Sequence, residues 1–284
     1  MRTLRQYRRT VAAACLAVLA GMPVAALAQG KLEARYTASL AGIPIGTGSW
    51  VIDIGDTHFT AAASGATAGL MRVFTSGQGT SAANGTTNGN GKLLSSVYAA
   101  TIKTRKSSDE VRLSIAGGNV KDFKVDPPTD KDPARLPITD AHRHGVIDPM
   151  SAMLLRMPGT DDPLKPAACE RNLPIFDGRL RYDLKLAFKR MDHVKADKGY
   201  AGPVVVCSVY FAPIAGFIPS RSAIRYLTKL RDMEIWFAPM AGTRVLVPFR
   251  AQGPTPIGRA MVEAKQFVAM PVPSRASLNG AKAQ

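Results

Sequence analysis

Two histidines are the residues of this chain whose spacing could hold a metal ion. In an extended segment, His142 and His144 would project from the same side of the backbone. Asp140 or Asp148 could add a carboxylate, and imidazole with carboxylate suits zinc or copper. Arg143 separates the two rings, and the surrounding segment is rich in proline and charge. A solvated loop is the simpler interpretation, so we predict no metal and no other cofactor.

Motifs that position a catalytic nucleophile or a phosphate are missing from the sequence. The chain has no Gly-x-Ser-x-Gly, which would place a serine on a sharp turn. The glycine-rich stretch 77–91 lacks the dinucleotide spacing and the Gly-Lys-Ser/Thr of a phosphate loop. Its Asn-Gly pairs are typical of turns, and we interpret the stretch as a loop. We therefore predict that the protein is not an enzyme.

Residues 148–157 carry the clearest helix signal in the chain. Asp148 is a capping residue, Pro149 suits the first helical position, and Pro158-Gly159 would stop the helix. Its apolar side chains would form one stripe. That stripe either faces a filled core or forms the adaptable wall of a ligand groove. The stripe residues are Met150, Met153, Leu154 and Met157.

Most of the remaining chain alternates between apolar and polar residues, as β-strands do. In residues 178–190, apolar side chains such as Leu180 and Leu184 alternate with Arg179, Arg181 and Lys185. About eleven such stretches, with one or two short helices, predict a mainly β protein. We expect a single, highly curved antiparallel sheet, either a half-barrel or a β-spiral.

The first 28 residues have the three parts of a secretory signal peptide. Arginines precede an apolar run at residues 11–28, which ends in small residues, so cleavage is expected after Ala28. The run is near the lower length limit for a membrane span and carries Gly21 and Pro23. We therefore expect an exported chain with no transmembrane span after cleavage.

Removal of the signal leaves a basic chain. The net charge of +16 falls to +12 because residues 1–28 contain four arginines and no acid. Such a charge favours acidic surfaces such as anionic lipid headgroups, or simply keeps the protein soluble. Export argues against nucleic acid as a partner. We predict one β domain at residues 29–270 and a disordered tail at residues 271–284.

Cys169 and Cys207 are the two cysteines that remain after cleavage. They do not form a Cys-x-x-Cys pair, and no histidine lies close to either in sequence. In an oxidising compartment such a pair is most simply a structural disulfide, which we predict here.

A set of short motifs is spread over residues 32–268. The most specific runs from Ile175 to Leu184 and contains Phe-Asp-Gly followed by Arg-Tyr-Asp-Leu. Together the motifs resemble DUF3108, a family of exported bacterial proteins of unknown function. The other pieces are residues 36–46, 148–152, 203–207, 213–216, 234–239 and 254–258.

The resemblance implies a periplasmic protein of a Gram-negative bacterium. It also implies a curved β-fold similar to that of periplasmic lipoprotein carriers, and it transfers no catalytic residue. Our leading hypothesis is a non-enzymatic periplasmic protein that supports the cell envelope by binding an anionic lipid-like ligand or an envelope protein. The alternatives are a hydrolase or metal-dependent enzyme using His142 and His144, and a scaffold without a small ligand.

Overall fold

The computed structural model describes residues 29–68, 76–87 and 93–272. The predicted signal peptide at residues 1–28 lies outside the described residues, as do residues 273–284 of the predicted tail. Both remain predictions.

The described chain is built mainly of β-strands, as the alternating sequence pattern predicted. The strands are β1 Gly30–Leu40, β2 Ile43–Ile54, β3 His58–Thr67, β4 Gly77–Thr87, β5 Leu93–Thr104, β6 Ser108–Ala116, β7 Asn119–Asp126, β8 Leu155–Arg156, β9 Arg171–Phe176, β10 Arg181–Lys195, β11 Lys198–Gly199, β12 Ala201–Ala215, β13 Glu234–Pro239, β14 Val245–Thr255 and β15 Gly258–Pro271.

All fifteen strands belong to one sheet. Its hydrogen-bonded order is β7-β6-β5-β4-β3-β2-β1-β15-β14-β13-β12-β10-β9, and β8 adds to β14. The pairs are antiparallel, except that the two-residue strand β11 lies parallel to β15. Because β7 and β9 are the two ends of this order, the sheet is not closed into a barrel. The predicted single antiparallel sheet is confirmed.

The sheet curves until its two ends meet through side chains. Phe123 of β7 packs edge-on against Phe176 of β9, with ring centroids 5.6 Å apart. After β9, Arg179 forms an ion pair with Asp109 of β6 at 3.2 Å. Gly178, with a φ of +93°, lies so close to β6 that an added Cβ would meet Val111 Cγ1 at 2.7 Å. These contacts confirm the predicted strong curvature.

Two clusters of apolar side chains fill the interior. The larger joins the two halves of the sheet and includes Leu32, Ile52, Phe59 and Phe267, each almost completely buried. The second lies on the other face of β10, β12, β13 and β14. There Leu155, Met157 and the segment ending at Cys169 cover it. Burial of these side chains from water is the main force that holds the sheet in its curved shape.

Within the described ranges, two short α-helices accompany the sheet: α1, Pro149–Ala152, and α2, Ser222–Lys229. The predicted helix at 148–157 was right at its start, because the Asp148 side chain accepts hydrogen bonds from the backbone of Met150 and Ser151. It was wrong in length. The helix ends after one turn because Leu155 and Arg156 form β8. Their backbone groups pair with β14 instead of continuing the helix.

The predicted loop at residues 77–91 was also wrong. Residues Gly77–Thr87 form β4, which pairs with β3 on one side and β5 on the other. Glycine and asparagine disfavour strands when considered alone, but pairing on both sides overrides that local preference. Two of the three Asn-Gly pairs, Asn88-Gly89 and Asn90-Gly91, lie within residues 88–92, which are outside the described residues.

Candidate functional site

A polar groove of about 870 Å³ crosses the first half of the sheet. It lies on the face opposite to the buried side chains of Leu32, Ala34 and Ile52. Its lining residues are Arg35, Tyr36, Thr37, Thr47, Gly48, Ser49, Ser64, Gly65, Ala66, Gln78, Gly79, Thr80, Thr101, Lys103, Glu110 and Lys265.

Strand register builds the groove from two parallel rows of side chains. One row runs across the strands from Arg35 through hydroxyl residues, and the other runs from Thr37 to Lys103. Residues between the two rows face the other side of the sheet. One of them is Tyr36, whose hydroxyl donates a hydrogen bond to the Pro248 carbonyl at 2.8 Å. With neighbouring strands about 4.8 Å apart, the groove spans roughly 19 Å from β1 to β5. The paired residues are Arg35, Ser49, Ser64, Thr80 and Thr101 in the first row, and Thr37, Thr47, Ala66, Gln78 and Lys103 in the second.

The groove carries more positive than negative charge. Arg35 and Lys103 are exposed, and neither forms an ion pair with any residue that the structure describes. Lys265 donates to Glu263 at 2.7 Å, and Glu263 also binds Arg250. Burial raises the pKa of Glu263, but the hydrogen bonds from Lys265 and Arg250 outweigh it and hold that pKa below its usual value. Among the described lining residues, Glu110 is the one acid.

The chemistry of this lining is that of a hydrogen-bonding surface. Its hydroxyl groups both donate and accept, and the Gln78 amide adds two donors and an acceptor. Ser49 and Ser64 already share a hydrogen bond of 2.9 Å across β2 and β3. A second groove of about 520 Å³ shares Ala66, Gln78 and Lys103 with the first and continues it towards Ser76. The arrangement suits a polar, hydroxylated ligand with negative charge.

The four apolar residues proposed as a groove wall lie elsewhere. Met150 and Leu154 are buried in the larger apolar cluster, and Met157 is buried in the second cluster. Met153 is half-buried and follows the end of α1. Because the helix ends at Ala152, the four side chains do not form one helical stripe.

The two candidate metal ligands have separate partners. The segment is a 3₁₀ turn at Asp140–Arg143 rather than extended backbone. In it the His142 ring accepts a hydrogen bond from the Thr139 backbone at 3.0 Å. The His144 ring lies 3.1 Å from Asp140 Oδ2 and 3.0 Å from Asn119 Oδ1. Within the part of the chain that the structure describes, no three His, Cys, Asp or Glu side chains form a group that could hold a metal ion.

The predicted disulfide is present. Cys169 and Cys207 are bonded, with their Cα atoms 5.3 Å apart, and both residues are fully buried. The bond fastens the segment that precedes β9 to the middle of β12, inside the second apolar cluster. Both cysteines therefore serve the fold.

No described helix has the length and apolar character needed to cross a membrane. Fold and groove together define an open, strongly curved β-sheet protein with a polar surface site. The chain belongs to the DUF3108 family of proteins of unknown function, whose model matches residues 35–265.

Among solved structures, the chain is similar to the crystal structure of a beta-barrel-like protein of domain of unknown function DUF1849 from Brucella abortus. The two are 11% identical, with a TM-score of 0.45, and the match covers 86% of this chain and 99% of the other. No curated protein matches the chain.

Proposed function

We propose that this is a non-enzymatic periplasmic protein that binds the polar, anionic part of a cell-envelope molecule in the groove between β1 and β5. The observation that carries the proposal is the combination of rows of hydroxyl side chains with two cations, Arg35 and Lys103, that form no ion pair among the described residues. Hydrogen bonds to charged groups are stronger than those between neutral groups. A ligand with phosphate or carboxylate groups and hydroxyls would therefore engage both kinds of lining residue.

The polar lining favours a headgroup or glycan over an acyl chain. The apolar side chains first considered for a ligand wall are packed in the core, with Met150, Leu154 and Met157 all largely buried. Placing an acyl chain on hydroxyl and charged groups would gain little, because those groups would lose their hydration. We therefore expect the groove to bind the anionic headgroup of a lipid-like ligand and not its acyl chains.

Native mass spectrometry of the protein purified from cells tests this proposal. We expect a bound anionic molecule in the wild type, and its loss in the double variant Arg35→Ala plus Lys103→Ala. Each lost cation should weaken binding by roughly tenfold. Arg225→Ala plus Lys229→Ala on α2 is the matched control, because it also removes one exposed arginine and one exposed lysine.

The same spectra separate the alternatives. A bound metal that disappears in His142→Ala plus His144→Ala would support the metal-enzyme hypothesis instead. A wild type that carries neither metal nor ligand, and that gains none when titrated with purified lipopolysaccharide or phosphatidylglycerol, would support a scaffold. Either result would overturn the proposal, as would equal ligand loss in the groove variant and its control.

A further inference from the structure

Two hairpin turns lie side by side at one corner of the sheet. Ala41-Gly42 connects β1 to β2, and Pro256-Ile257 connects β14 to β15. The Ala41 backbone N–H donates to the Arg259 carbonyl at 2.9 Å. A Cβ added at Gly258 would lie 2.7 Å from the Ala41 Cβ. The two turns therefore form one joined tip.

This tip presents the two most exposed large apolar side chains of the described residues. Ile257 is 73% exposed and Ile43 is 59% exposed. Leu40 pairs with Ile43 on one side and with Ala260 on the other, so apolar residues connect the two turns. Exposed apolar groups that cluster in this way mark an interaction surface, whereas scattered ones do not.

The two hairpins that carry the tip contain basic residues and no acidic ones close to the turns. Residues 36–52 and 250–262 contain no aspartate or glutamate. Arg259 is exposed two positions after Ile257. An apolar tip beside a cation is complementary to a surface that is apolar within and anionic at its rim, as a bilayer of anionic lipids is.

We propose that the joined tip of the β1–β2 and β14–β15 turns inserts Ile43 and Ile257 into the surface of an anionic lipid bilayer. Each of the two turns presents one exposed isoleucine, so a protein partner would have to supply an apolar site for both, whereas the apolar interior of a bilayer accepts both directly. The backbone hydrogen bond between the turns and the prolines at 44 and 256 limit the conformational freedom lost on docking. The tip and the polar groove share no residue, so this proposal does not rest on the groove ligand.

Sedimentation with vesicles of phosphatidylethanolamine and phosphatidylglycerol tests the tip. The protein is expressed from the full chain. The intact mass of each preparation is measured to check that wild type and variants differ only by their substitutions. Ile43→Ser plus Ile257→Ser should weaken partitioning by about tenfold or more, because two buried apolar side chains are lost. Ile102→Ser plus Ile214→Ser, which changes two other exposed isoleucines, should leave partitioning within about twofold.

A gain-of-signal variant keeps the test independent of losses in folding. Ile257→Trp should bind the same vesicles at least as well as wild type, with a blue shift in emission and quenching by brominated lipids. An unshifted spectrum with bound vesicles would overturn the proposal, as would equal loss in both serine variants. A dimer that only the tip variant dissociates would also overturn it, because the tip would then bind a second copy of the chain.

Discussion

Asp148 fastens the connection between β7 and β9 to the interior of the sheet. Its side chain is fully buried, and Oδ1 accepts backbone hydrogen bonds from Met150 and Ser151, both at 2.9 Å. The Ser95 hydroxyl of β5 donates to the other oxygen, Oδ2. One carboxylate thus begins α1 and binds that helix to a strand 53 residues earlier in the chain.

Asp148→Ala should destabilise the protein by about 3 kcal/mol, because it leaves buried donors without acceptors. The free energy of unfolding from urea titration measures the change. Asp53→Ala, at an exposed position of β2, should shift it by less than about 0.5 kcal/mol. Equal effects at the two sites would show that Asp148 does not have the role described.

The buried carboxyl of Asp177, in the turn after β9, should make the free energy of unfolding depend on pH. Burial raises the pKa of its carboxyl, although backbone N–H groups of Arg179 and Leu180 donate to Oδ1 at 2.8 and 2.7 Å. A raised pKa in the folded state means that ionised Asp177 lowers stability once the pH exceeds the ordinary aspartate value. Asn keeps the acceptor and removes the charge.

Asp177→Asn should therefore stabilise the protein more at about pH 7 than at about pH 3, where both states of the wild type are protonated. Urea titrations at the two pH values measure the difference. Asp53→Asn provides the charge-matched control. A larger stabilisation at the lower pH would contradict the raised pKa.

Sequence could identify residues whose partners are close along the chain. Asp148 is recognisable as a cap because Pro149 follows it, but Ser95 lies too far away for any local pattern to reveal. The failed inference for His142 and His144 has the same origin. Alternate residues share a side only in extended backbone, and the 3₁₀ turn at 140–143 rotates the two rings towards different partners.

Among the elements, strands with strict alternation were the easiest to predict. The alternation in residues 178–190 predicted a strand, and residues 181–195 form β10, which pairs with β12 along its length and with β9 over residues 181–186. The opposite case is β4, whose glycines and asparagine resemble a loop. Its neighbours β3 and β5 determine its conformation, and this information is not local. The misread strand also hid Gln78 and Thr80 as groove residues.

The Cys169–Cys207 bond fastens the covering segment of the second apolar cluster to the sheet. Its ends are 38 residues apart in sequence. Cys169→Ser plus Cys207→Ser should lower the free energy of unfolding by up to about 4 kcal/mol, chiefly by freeing the unfolded chain. Urea titration measures this, and the wild type on a non-reducing gel should run faster than the variant. Titration of a free thiol in the oxidised wild type would contradict the bond.

At the scale of the whole molecule, the sequence predicted a single curved antiparallel sheet and the structure confirms it. The groove was not predictable in the same way. Its lining comes from strands that are locally unremarkable, and only their register places Arg35 and Lys103 at two ends of one surface. The basic charge of the chain suggested an acidic partner but gave no position for it.

Hydrogen exchange of the whole chain, with and without its anionic ligand, tests the central claim most directly. If the ligand binds in the groove, backbone exchange in β1 to β5 should be slower when it is bound, because its contacts with those strands suppress local opening. The Arg35→Ala plus Lys103→Ala variant should lose that protection, and Arg225→Ala plus Lys229→Ala should keep it. Protection confined to strands β9 to β13 while the ligand is bound would contradict the account.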